Sequence, residues 1–348
     1  MAGEVARRLL ALAAWLSLSI PAAGCAQASG AVVSSDSPVK IPLTVTQNPR
    51  FGTYAAKITI ALGDGPPLPF GFDTGSTGLH AFADAELDAP GSGVRCSQTP
   101  TSVTYGNPPR ITFNGVVCYA TLHFDGLTTP SPVPVAYLTS ASCPPVNPGC
   151  HIPNLHDPKA MGGYGVFGAG LSGITYGAGR VPNPILTLPG RRGSMYNVVL
   201  TRSSGMLVLG GSEPEGAAEF RLTPGNVPGE RYALPQTCLF ANGRAAGACM
   251  LASFDTGNGV PWIHAADIGS VPQQNGLVAA GTHLGFAPAG GSSPATWVLA
   301  GTEFADAIKV VDVPGKAALT NISIQAFFGR VVTYDAVRGI IAVAPAPF

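Results

Sequence analysis

Apolar and polar residues alternate along much of the chain with a period of two, the pattern of half-buried β-strands. "IPLTVTQNP" (41–49) and "YAAKITIALGDGPPLPFGFDTGS" (54–76) read this way, with "GDGPP" as the intervening turn. "SVTYGNPPRITFNGVVCYATLHFDG" (102–126) predicts further strands broken at "YGNPP" and "FNG", and "YGVFGAGL" (164–171) a glycine-rich apolar element with close backbone packing. A second cycle opens at "SSGMLVLGGSEP" and runs through "RYALPQTCLF", the turn "ANGRAAGA" and "CMLASFDTG". It finishes with "NISIQAFFGRVVTYDAVRGIIAVAP", a short helix or strand followed by a hairpin turned at "DAVRG". Residues 130–159, rich in Pro and Cys, read as a long surface loop, and the only candidate helices of any length are 265–270 and 301–311.

Composition agrees with a β-rich chain. Gly 45 and Pro 33 among 348 residues favour many short strands and turns over long helices. Charged residues make up 11%, against roughly 25% in an ordinary soluble domain, so each remaining carboxylate carries more information than usual. Lys+Arg and Asp+Glu balance at 19 each and no basic run stands out, which argues against a nucleic-acid partner.

The N-terminus predicts an export signal: Arg7 and Arg8, the apolar run 9–20, then small residues. The run is too short to span a bilayer as a permanent anchor. Two cleavages fit, one after "AQA" (26–28), the other at a lipobox-like "AAGC" that would lipidate Cys25. The expected division is a signal over 1–28 (or ending before Cys25), a flexible tether over 29–38, and β-rich halves over 39–195 and 196–348. Location follows as secreted, periplasmic or lipid-anchored in the cell envelope, with membrane contact only through Cys25. Setting Cys25 aside, Cys96, Cys118, Cys143, Cys150, Cys238 and Cys249 form an even set that in an exported chain favours disulfides. Pairing between sequence neighbours would close three short loops, though other pairings are open.

"FDTGSTG" (72–78) is nearly repeated as "FDTGNG" (254–259), each at the end of an apolar strand, one in each half. A lone copy reads as an Asp-capped turn in which Gly supplies the backbone freedom. Paired copies carry chemistry. Two carboxylates within hydrogen-bond reach cannot both ionise comfortably, so they share a proton and their titrations split. One then acts as base toward a water and the other as acid toward an amide carbonyl, with no metal or organic cofactor. "CHIPNLHD" (150–157) gathers Cys150, His151, His156 and Asp157, but its spacing fits no familiar metal site and no metal is expected.

Taken together, "FGFDTGSTGL", "VTYG", "YGVFGAGL", "GMLVLGGSEP", "ASFDTGNG" and the finish resemble a pepsin-like aspartic endopeptidase of a divergent, bacterial branch. The resemblance implies an all-β, bilobal acid-protease fold with a central cleft, acting on peptide or unfolded protein substrate as a monomer. It implies Asp73 and Asp255 as the catalytic pair, Thr74 and Thr256 locking the two turns, Gly75 and Gly257 donating amides, and Ser76 supporting the outer oxygen of Asp73. Tyr105 would cover substrate from a flap. Four departures stand out. Asn258 replaces the Ser or Thr that follows the second turn, with an amide still able to donate; His80 replaces an aromatic after the first; the flap reads "YGNPP"; and 322–324 "ISI" replaces the second apolar-apolar-Gly element. A binding or inhibitor-like protein that keeps the fold without turnover is the alternative these departures raise. The short tether leads to the further expectation that no pro-segment is processed beyond the signal.

Overall fold

The computed structural model describes residues 37–347 except 84–86, 88–91, 106–110, 146–147, 149, 153, 173–179, 226–230 and 313–318. The signal, Cys25, most of the tether and the flap tip lie outside the described residues. The described residues pack as one unit.

Among the described residues, two sheets carry almost all of the regular structure, one of 15 strands and one of 9. The larger sheet begins with Tyr54–Leu62 and Leu68–Asp73 and passes through Gly165–Ala169, Thr77–Phe82, Val133–Ser142 and Ile111–Ala120 to Arg95–Tyr105. In the other direction it continues through Val39–Gln47, Gly205–Leu209, Met195–Leu200, Arg330–Asp335, Ile340–Pro345 and Ala218–Arg221. Strands from the beginning, middle and end of the chain therefore share one bridging platform, and the expected boundary at 195/196 falls inside it. The smaller sheet is built from residues 236–321, with Arg244–Ser253, Leu319–Asn321 and Trp262–His264 at its centre.

The two sheets repeat one local arrangement. Leu68–Asp73 pairs in parallel with Gly165–Ala169, setting Phe72 opposite Phe167 and Asp73 opposite Gly168. Arg244–Ser253 pairs in parallel with Leu319–Asn321, setting Ser253 opposite Asn321. Carried two places on, that register sets Asp255 level with Ser323, so the counterpart of "VFG" is Asn321-Ile322-Ser323, one residue earlier than the "ISI" expected from sequence. Ser323 takes φ 63 and ψ 177, a conformation nearly reserved for glycine that costs about 1–3 kcal/mol.

The phenylalanine before each Asp anchors its turn from below. Phe72 is fully buried and stacks on Phe167 at 6.1 Å; Phe254 meets Phe220 edge-on at 4.8 Å. Burying rings of this size contributes on the order of 2–3 kcal/mol each, so the core sets the depth at which the two acidic turns sit.

Four expectations are overturned here. The stretch 130–159 is not one surface loop: Val133–Ser142 is a strand between Thr77–Phe82 and Ile111–Ala120, with Val135 and Leu138 fully buried. Its prolines sit at or before the strand's start, where a missing N–H is tolerated. The candidate helix over 301–311 forms one turn, in which Asp306 and Ala307 N–H groups donate to Glu303 O at 3.0 and 2.9 Å. The chain is then drawn into the strand Lys309–Val311 beside Trp262–His264. The other candidate, 265–270, is a 3₁₀ turn over Ala265–Asp267. At "FNG" the strand does not break; it bulges between Asn114 and Gly115.

Disulfides join Cys96 to Cys118, Cys143 to Cys150 and Cys238 to Cys249. The first and third link facing residues of adjacent antiparallel strands. Cys238–Cys249 closes a separation of 11 residues and restrains the strand that leads into the second acidic turn. The variant Cys238→Ala/Cys249→Ala should lose about 2–3 kcal/mol, read from the shift of its urea-unfolding midpoint; an unchanged midpoint would show that the bridge adds nothing to the sheet.

Candidate active site

Each acidic turn leaves the end of a strand whose backbone is held on both sides, so the chain enters the turn along a fixed direction. The two turns then bond to each other reciprocally. Thr74 Oγ1 donates to Phe254 O at 2.8 Å and Thr256 Oγ1 donates to Phe72 O at 2.7 Å. Each hydroxyl in return accepts the other threonine's backbone N–H, both at 3.1 Å. All four bonds are buried, where leaving a single partner unmatched costs about 1–3 kcal/mol.

The glycine after each threonine is required by space. A Cβ on Gly75 would fall 2.3 Å from Asp255 Cγ, and one on Gly257 would fall 2.5 Å from Asp73 Cγ. Each turn thus packs its bare backbone against the opposite carboxyl, which brings Asp73 and Asp255 within hydrogen-bonding reach of one another. Their exposures are 8% and 6%.

Donors hold the inner and outer oxygens separately. Gly75 N donates to Asp73 Oδ1 at 2.7 Å and Gly257 N donates to Asp255 Oδ1 at 2.8 Å. Ser76 Oγ donates to Asp73 Oδ2 at 2.5 Å. At the second turn the matching residue does something else: the Asn258 amide donates to Val260 O at 2.8 Å. The outer oxygen of Asp255 instead accepts from Asn321 Nδ2 at 2.5 Å. The Asn321 carbonyl oxygen accepts the Ser323 N–H at 2.9 Å, which orients the amide so that its NH₂ faces the carboxyl. The support expected from the Asn258 side chain is therefore supplied from the parallel strand. Asn321 is not among the residues that the two acidic motifs mark. Its signal was available in the register of that strand, two residues before the position level with Asp255.

Burial, then the charge of Asp73 and the hydrogen bond to it, raise Asp255 well above the usual carboxylate range; Asn321 and Gly257 pull in the other direction. Above the two carboxyls Tyr105, at the end of the strand Arg95–Tyr105, is half-buried and raised well above the ordinary phenol value, first by removal of its ring from water and then by the charge of Asp73. Its hydroxyl lies 2.6 Å from His80 Nδ1. The structure thus gathers Asp73, Asp255, Thr74, Thr256, Gly75, Gly257, Ser76 and Tyr105 in one place. Asn258 lies beside the dyad without its side chain bonding to it.

Comparison with solved structures aligns this chain with the aspartic proteinase from Irpex lacteus at a TM-score of 0.62 and 14% identity. The alignment covers 90% of this chain and 98% of that one. The fold is pepsin-like: all-β and bilobal. No protein-family model matches the sequence, and no curated protein does.

Because Asn321 favours the charged form of Asp255, replacing it by alanine should move the titration of Asp255 further upward. Adding Asn258→Thr, which returns a hydroxyl to the place matching Ser76, should bring it back down. Carboxyl ¹³C shifts followed against pH decide the matter; a titration indifferent to Asn321→Ala would remove the amide from the account.

Proposed function

We propose that the protein is an exported aspartic-type endopeptidase in which Asp73 and Asp255 activate a water to hydrolyse peptide bonds. The observation that carries this reading is the mutual packing of the two acidic turns, which buries two carboxyls against each other with separate donors on each.

Chemistry follows from one proton shared by two acids. The ionised carboxyl removes a proton from a water held between the pair as its oxygen attacks the peptide carbonyl. The protonated carboxyl gives its proton to the carbonyl oxygen, so a neutral gem-diol forms in place of a full oxyanion. A proton then passes to the amide nitrogen, the C–N bond breaks, and a carboxylic acid and an amine leave. The glycine amides and the Ser76 and Asn321 donors hold the carboxyl groups in place while protons move, which lowers reorganisation. An extended peptide would lie beneath Tyr105, with its backbone paired to the flap as an added strand.

The singly protonated pair is the working state, so turnover belongs to acid and falls as pH rises and the shared proton is lost. With Asp255 raised, that falling limb should lie above the ordinary carboxylate range. Asn258 favoured a silent binding protein; the bond from Asn321 to Asp255 supplies the donor whose loss motivated that alternative. Disulfides agree with an oxidising destination outside the cytoplasm.

The test incubates the mature protein with a denatured protein substrate between pH 3 and 7, beside Asp73→Asn and Asp255→Asn. Each variant should lose activity by about 10³–10⁴-fold. Cleavage that survives either substitution, or a folded wild type that cuts at no pH, sinks the proposal. Asp73→Asn should also melt a few degrees higher than wild type at pH 7, measured by calorimetry. The sign follows from linkage: a carboxyl raised in the folded state contributes stability in acid that is lost as pH rises, and removing the neighbouring charge relieves it. A lower melting point at pH 7 would contradict the strain assigned to the pair.

A further inference from the structure

Among the described residues, the largest fully buried side chains are phenylalanines and isoleucines apart from two, Tyr196 and Tyr334. A phenylalanine would fill either place as well, whereas a buried phenol hydroxyl costs free energy unless it is hydrogen-bonded. The two residues face each other across the strands Met195–Leu200 and Arg330–Asp335 of the bridging platform, and their rings stack at 5.0 Å with 8° between the planes. Both hydroxyls go to backbone carbonyls next to the acidic turns, one to each turn.

The Tyr334 hydroxyl donates to Phe254 O at 3.4 Å, the carbonyl just before Asp255 that also accepts from Thr74 Oγ1 at 2.8 Å. A carbonyl oxygen has two lone pairs and serves both. The Tyr196 hydroxyl donates to Ala169 O, one residue beyond the Gly168 that lies opposite Asp73. From there the contact with the first turn is direct. Gly170 N donates to Ser76 O at 2.8 Å, and a Cβ on Gly170 would fall 2.5 Å from Thr74 O. Ser76 is the residue whose hydroxyl holds Asp73 Oδ2.

Asn183, 2% exposed, fixes the direction of the Tyr196 bond. Its Oδ1 accepts the Ile185 N–H at 2.9 Å. Its NH₂ therefore faces the other way, toward Ala169 O at 2.9 Å and toward Gly170 O and the Tyr196 oxygen, both at 3.3 Å. An amide NH₂ only donates, so the Tyr196 oxygen accepts from it and the phenol hydrogen is committed to Ala169 O.

Resting on the protease reading above, we propose that Tyr196 and Tyr334 are positioning residues for the dyad: as a stacked pair on the platform they tie down the backbone at one acidic turn each, and so set how far apart Asp73 and Asp255 sit. The threonine bonds lock the turns to each other; the tyrosines lock both to the platform. Removing the hydroxyls and keeping the rings leaves the turns bonded to each other without their common anchor. The carboxyls then draw apart, and each feels less of the other's charge.

The experiment compares Tyr196→Phe, Tyr334→Phe and the control Tyr232→Phe with wild type, by carboxyl ¹³C shifts against pH, by kcat and KM on an unfolded protein substrate, and by urea unfolding. Tyr232 donates to Ala336 O at 2.8 Å, a like bond made to neither acidic turn. All three variants should lower the unfolding midpoint, as expected for one lost hydrogen bond. Only Tyr196→Phe and Tyr334→Phe should also bring the upper step of the dyad down toward the ordinary carboxylate range and lower kcat by about threefold to tenfold, with KM unchanged. A dyad titration unchanged in either variant, or moved as far by Tyr232→Phe, overturns the proposal and leaves the protease reading intact. A wild type that cuts nothing while the titrations move as stated upholds the positioning of the pair and removes the protease reading alone. A wild-type pair that titrates at ordinary values removes both. Should Tyr196→Phe fail to fold, Asn183→Ser, which keeps a cap for the Ile185 N–H and loses the amide to Ala169 O, tests the same arm by the same titration.

Discussion

The reciprocal bonding of Thr74 and Thr256 is the constraint on which the rest of the site depends. Each hydroxyl donates to a carbonyl of the opposite turn and accepts an N–H from it, so neither turn can shift without breaking buried bonds on both. The carboxyls are held face to face as a consequence. Glycine follows in both turns because any Cβ would enter the opposing carboxyl group, and the two phenylalanines before the aspartates fix the depth at which the turns meet. The bridging platform, drawn from the beginning, middle and end of the chain, holds the two halves to one geometry.

Electrostatics follow from that geometry. Two acids with exposures under a tenth, in hydrogen-bonding reach of each other, cannot both be charged at low cost, and Asp255 is raised for that reason. The pair is held by an asymmetric set of donors, a hydroxyl on Asp73 and an amide on Asp255. A hydroxyl can turn to give or take a hydrogen, whereas an amide NH₂ only gives. Asp73 therefore sits against an adjustable donor and Asp255 against a fixed one. The arrangement stores cost in two places, the repulsion of the carboxyls and the glycine-like backbone of Ser323 that helps to set Asn321.

Much of this was legible in the sequence because it is local. The acidic turns, the threonines and glycines in them, the flap tyrosine and the strands on either side announce themselves in short motifs and in alternation. What the sequence hid is relational. Asn321 reaches Asp255 only through the parallel pairing of Arg244–Ser253 with Leu319–Asn321, and no local pattern gives a register between strands so far apart in the chain. Read locally, the counterpart of the apolar-apolar-Gly element falls one residue late, at 322–324. The strand Val133–Ser142 was masked by the prolines before it, although its apolar positions point into the core. The helical pattern over 301–311 lost to pairing with Trp262–His264, where tertiary contacts override a weak local preference. His80 was visible as an odd residue; that it faces Tyr105 required the packing of strand on strand.

The central claim is that Asp73 and Asp255 hold one proton in common, and carboxyl ¹³C shifts of aspartate-labelled protein, followed from pH 2 to 8, test it most directly. The account predicts two separated steps, one of them well above the ordinary carboxylate range, with that upper step moving down toward the ordinary range in Asp73→Asn as the neighbouring charge is removed. Two carboxyls that each titrate near the ordinary value, unaffected by the loss of the other, would contradict it.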